Sequence, residues 1–110
     1  MNARVLALTI GVMCIDTSAH ASDDLDLRVR TDDGALVITN REAAAVSDCW
    51  VQINSDYAVR DVALPPSQDV RLLLRRFAKK DGTRFNLFTH KIQGILVQCW
   101  KPKMRVGTFG

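Results

Sequence analysis

Cys49-Trp50 and Cys99-Trp100 repeat one dipeptide, and His90 lies between them. Thiols, indoles and an imidazole support covalent bridging, aromatic recognition and proton transfer. Cys14 and His20 fall in an N-terminal segment that reads as a removable leader, so the remaining body holds two cysteines and one histidine. In an exported protein Cys49 and Cys99 are expected to pair as a disulfide; the alternative is two buried thiols that pack as small apolar side chains. One histidine leaves no His-His metal pair, and no Cys-His spacing matches a structural zinc site. A hydrolase would have to use His90 with a serine or threonine, and nothing near His90 in the sequence supports that arrangement. The glycines are isolated, with no phosphate-cradling pattern. No catalytic residue, metal ligand or cofactor site is therefore assigned.

The leader reading rests on order. Met1 to Arg4 supplies a positive charge, Val5 to Ile15 is an apolar run, and Asp16 to Ala21 closes on Ala19-His20-Ala21. That is the order of a secretory signal peptide, with a run too short to span a bilayer. Cleavage is expected after Ala21, leaving residues 22–110 as one domain, periplasmic or secreted. Acylation of Cys14 fits poorly with the large Met13 before it, and retention as an uncleaved anchor is the other alternative. No later stretch is long and apolar enough to be a membrane span. At 110 residues, with 47% hydrophobic and 25% charged side chains, the chain has the balance of a single folded domain.

The elements that must position these side chains read as short strands. Leu25, Leu27 and Val29 alternate with Asp26, Arg28 and Arg30; Asp32-Asp33-Gly34 supplies a turn, and Leu36 to Thr39 resumes a β-rich run. Arg41 to Ala45 is too short for a stable helix and reads as a loop. Cys49, Val51 and Ile53 share one strand face while Trp50 and Gln52 share the other. Asn54-Ser55-Asp56 turns the chain into Tyr57 to Leu64, and Pro65-Pro66 interrupts any regular element. Val70 to Ala78 is ambiguous. Period two points Val70, Leu72 and Leu74 inward, whereas helical period makes a stripe of Leu73, Leu74, Phe77 and Ala78; the strand is preferred. After the Asp81-Gly82 turn and the loop Thr83 to His90, Ile92 to Trp100 forms the last strong strand, ended by Pro102. The expected fold is all-β, a single small antiparallel β-sandwich of six to seven strands.

If the two cysteine strands are neighbours, Trp50 and Trp100 lie on the outward face, where they form a platform for a sugar, peptide or protein, or else are covered as satellite core, the commoner fate of large aromatics. Charge is uneven. Ten acids face four arginines between Ser22 and Val70, and ten bases face Asp81 alone from Arg71 onward. Either the basic part steers an anionic envelope polymer, or the two halves interleave and neutralise one another. Nucleic acid is not an expected partner, since the bases lack interleaved aromatics.

Leu36-Val37-Ile38-Thr39-Asn40, Val51-Gln52-Ile53-Asn54, Asp56-Tyr57, Leu64-Pro65 and Asp81-Gly82-Thr83-Arg84-Phe85-Asn86 with Phe88-Thr89 and Lys91 together resemble a small group of bacterial exported immunoglobulin-like sandwich domains. The resemblance runs from about Leu36 to Trp100, and its most specific part is the Asp-Gly-x-Arg-Phe-x-x-Phe-Thr segment. Pro66 stands where similar domains tend to have glycine, and Leu87 where proline is common. The resemblance implies an immunoglobulin-like fold and an accessory or adhesive role, with no catalytic residues. Independently, Phe85 and Phe88 are expected to plug the end of the core while Arg84 and Asn86 satisfy backbone groups; the alternative is a recognition loop built on Arg84 and Phe85. The expected function is a non-catalytic binding or structural accessory domain without cofactor. The alternative is a small inhibitor or regulator of an envelope enzyme, working through Lys79 to Thr89.

Overall fold

A computed structural model describes residues 24–110. The expected leader, Cys14 and the cleavage point after Ala21 lie outside the described residues. Among the described residues seven strands run in order: β1 (Leu27–Asp32), β2 (Ala35–Asn40), β3 (Val46–Ile53), β4 (Tyr57–Leu64), β5 (Asp69–Leu73), β6 (Ile95–Lys101) and β7 (Arg105–Phe109). They form a three-stranded sheet, β1-β2-β5, and a four-stranded sheet, β4-β3-β6-β7, with every strand pair antiparallel. The sheets pack face to face as an all-β sandwich. Among the described residues no helix is long and apolar enough to cross a membrane.

Alternation creates the layers. Leu36 and Ile38 of β2 and Leu72 of β5 meet Cys49, Val51, Ile53, Val59, Val62 and Val97 across the interior. Asp33 and Gly34 both take positive φ, 47° and 77°, which closes β1 and β2 through a two-residue turn whose twist matches the strands. The outer face of the three-stranded sheet is sealed by charge. Val37 is paired with Arg30 on one side and Arg71 on the other, and it is buried. The arginine stems can cover its methyls while their heads stay wet. Arg30 reaches Asp69 at 3.3 Å, Arg71 reaches Asp32 at 3.0 Å, and the Thr39 hydroxyl donates to Asp69. The Thr39 bond and the neighbouring arginines hold the Asp69 carboxyl below the usual carboxylate range against a smaller opposing effect of desolvation.

One end of the sandwich is organised by Asn40, the one buried polar residue among those described. Its amide donates to the carbonyls of Leu64 at 2.9 Å and Ala44 at 3.0 Å, and its oxygen accepts from the Glu42 N–H at 2.9 Å. This ties the non-helical stretch after β2 to the end of β4, so Arg41 to Ala45 is indeed a loop. Glu42 in turn pairs with Arg105, both side chains being largely buried, and accepts from the Asp26 N–H at 2.9 Å.

Two expectations need correction. The strand preferred over Val70 to Ala78 stops at Leu73, and Leu74–Arg76 is a turn of 3₁₀ helix; period two still holds inside it, with Leu72 and Leu74 buried. The last expected strand starts at Ile95 rather than Ile92. Asn54 is the reason: its side chain donates to the Lys91 carbonyl and accepts from the N–H groups of Gln93 and Gly94, giving that segment side-chain partners in place of a ladder. This strand ends at Lys101, just before Pro102 as expected, and β7 follows to complete the four-stranded sheet.

Candidate functional site

Cys49 and Cys99 are direct partners on neighbouring strands β3 and β6, with Cα atoms 4.0 Å apart, and their sulfurs form a disulfide inside the core. The bridge lies within one sheet and does not link the two sheets. It fixes the strand pair whose outer side carries the tryptophans. Trp50 is half-buried and Trp100 is 44% exposed, so the second indole keeps a large part of its surface in water.

Both indoles border a shallow open hollow of about 450 Å³, together with Asp48, Cys49, Arg60 and Asp61. The Arg60 guanidinium sits 5.9 Å from the centroid of the Trp50 ring, within range of a cation–π contact. The indole Nε1 of Trp50 is buried and has no hydrogen-bond acceptor among the described residues. A second hollow continues from Trp50 and Arg60 past Gln52, Ala58 and Ser55 to Lys79 and Lys80. Together they make a furrow along the outer face of the four-stranded sheet.

Two β-bulges shape this furrow. The β3–β4 register shifts between Val46 and Cys49 and shifts back between Cys49 and Val51. Asp48 on β3 and Asp61 on β4 sit at the shifts, with φ of 54° and 58°. Aspartate tolerates this left-handed conformation better than most residues, and bulges re-aim side chains. Neither aspartate nor Arg60 was singled out by residue type. The signal available was an apolar spacing of three, Val46 to Cys49 and Val59 to Val62, which period two cannot accommodate without an inserted residue.

The loop calls divide. Phe85 is 4% exposed and packs edge-on against Tyr57, with ring centroids 5.2 Å apart, so it plugs the core end. Phe88 is 98% exposed and plugs nothing. Arg84 is exposed and donates to the Arg75 carbonyl at 3.3 Å, and Asn86 accepts from the Phe88 N–H at 2.9 Å, so both serve backbone groups. His90 is exposed, with its Nδ1 2.8 Å from the Thr89 hydroxyl and its ring 5.9 Å from that of Tyr57. Trp50 and Trp100 are thus brought together; Arg84 and Phe85 lie elsewhere. Among the described residues, no group of three or more His, Cys, Asp or Glu side chains is placed to hold a metal. No protein family, curated protein or solved structure matches this chain.

Proposed function

We propose that this chain is an exported, non-catalytic binding domain that takes its partner on the outer face of the four-stranded sheet. The observation that carries the reading is Trp100, a large aromatic left in water beside Trp50 and Arg60. The other outer face spends its charges internally, whereas this one offers rigid apolar surface with polar groups at its edge, the mixture found at binding hot spots. A sugar ring or extended peptide fits it: a flat apolar face against the indoles, with hydroxyl or carboxylate oxygens toward Arg60. The strand order 1-2-5 and 4-3-6-7 supports an immunoglobulin-like domain in which the fourth strand has joined the second sheet. The disulfide supports an oxidising compartment, periplasmic or extracellular.

The two tryptophans of the chain both border the furrow, so their fluorescence reports on it directly. Titration with oligosaccharides and extended peptides released from the cell envelope is expected to shift the emission. Trp100→Ala should weaken binding by about thirty-fold, a hot-spot loss, while leaving thermal unfolding nearly unchanged. A ligand that binds wild type and Trp100→Ala with the same Kd and leaves the emission unmoved would refute the proposal.

A further inference from the structure

The opposite, loop-bearing end of the sandwich leaves apolar side chains in water. Phe88 is 98% and Leu87 46% exposed, and both border one hollow with Leu73, Arg75 and Arg84. Leu87 also borders His90 and Lys91. Asn86 holds the tip in a tight turn: its side chain accepts from Phe88, and its carbonyl accepts from the N–H groups of Thr89 at 3.2 Å and His90 at 3.0 Å. Such a turn presents Leu87 and Phe88 together and offers no extended strand for a peptide to pair with.

The surrounding charge is one-sided. Arg75, Arg84 and Lys91, which border the hollows beside Leu87, form no ion pair among the described residues, whereas Arg30, Arg41, Arg71 and Arg105 do. The acids bordering these hollows are Asp32, held by Arg71, and Asp33, while Lys79 and Lys80 lie beside Asp56 and Asp81 in the furrow instead. An apolar point within a basic collar is matched by a surface that is oily inside and negative outside.

We propose that the Leu87-Phe88 tip docks on an anionic lipid bilayer. The two side chains enter the boundary between headgroups and acyl chains, and Arg75, Arg84 and Lys91 meet lipid phosphates. Trp100 stands near the far end of β6 from this tip, five residues beyond Ile95 or about 17 Å along the strand. Docking therefore holds the tryptophan hollow clear of the membrane surface.

The test is flotation of the protein with vesicles of phosphatidylcholine alone and of phosphatidylcholine mixed with phosphatidylglycerol. Binding is expected to the mixed vesicles only, falling as salt rises. Phe88→Ser should lower the partition coefficient about ten-fold or more, and Arg75→Gln and Lys91→Gln about five-fold each. Unchanged thermal unfolding establishes that these surface variants remain folded. Trp100→Ala should float like wild type, which separates this proposal from the sheet-face reading. Absence from the mixed vesicles, equal binding to neutral ones, or binding indifferent to Phe88→Ser overturns the proposal. A response to the cations without one to Phe88 would mark a patch for soluble polyanions, and no vesicle binding would leave the tip to a protein cleft.

Discussion

Reduction of the Cys49–Cys99 bridge should remove about 4 kcal/mol of stability. The two cysteines are 50 residues apart, and in the chain-entropy model a closed loop of that size restricts the unfolded ensemble by about this amount. For a domain whose whole margin is about 5–15 kcal/mol, the loss is severe. Reduction is a cleaner perturbation than substitution, because both residues are fully buried and alanine would add a cavity. Urea unfolding followed by tryptophan fluorescence, with and without reductant, measures the difference. The origin in the unfolded state makes a second prediction: without the cross-link the unfolded chain expands, exposes more surface and raises the slope of ΔG against urea. A loss below about 1 kcal/mol with an unchanged slope would refute the reasoning, since the bridge would then act on neither the unfolded chain nor the packing of β3 against β6.

Glu42→Gln should cost about 1–2 kcal/mol at neutral pH, by weakening a charge-assisted bond to Arg105 in a largely buried site. Burial alone would push the Glu42 carboxyl up, but the Arg105 hydrogen bond, the Asp26 N–H and the Arg105 charge together hold it below its usual value of 4.5. A depressed folded pKa stabilises above the unfolded value and fades as pH falls through the folded one. Denaturation curves taken at falling pH should therefore show wild type converging on Glu42→Gln below pH 4.5, and a constant gap would contradict the assignment. Phe85→Ala should cost about 3–5 kcal/mol in thermal unfolding, whereas Phe88→Ala should stay within about 0.5 kcal/mol, because one ring lies in the core and the other in water. Similar costs for the two would invalidate the division of the loop.

Most of the fold was legible because alternation and burial coincide. Leu25 to Val29, Leu36 to Thr39 and Cys49 to Ile53 show period two in sequence and the same inward set in space. β7 escaped because its inward face runs Arg105, Gly107 and Phe109, in which Phe109 is the one apolar side chain and no alternation shows. A Cβ on Gly107 would come within 3.0 Å of the Phe109 ring, so that ring, two residues on, fills the volume a side chain would otherwise occupy. The charge halves were legible only in part. Arg71 and Arg105 cross to acids of the first half and are neutralised, but the cations from Arg75 to Lys91 find no such partner among the described residues. Which arginines cross depends on strand pairing, and pairing is a tertiary fact.

The tryptophans could be placed on the outward face from the sequence, but the hollow beside them could not, because a bulge belongs to two strands at once. With Asp48 inserted alone, β3 would slip by one residue against β4 beyond that point, and a slip of one turns every later side chain to the other face. Asp61 inserts the compensating residue on β4, so the register is restored by the Val51–Val59 pair. Cys49, Val51, Val59 and Val62 therefore all keep the core, and Arg60 is carried to the outer face over Trp50. The disulfide lies on the other side of β3, where the pairing with β6 keeps one register throughout, so the two insertions act on the β4 side alone and make the hollow as much a product of strand register as of its own side chains.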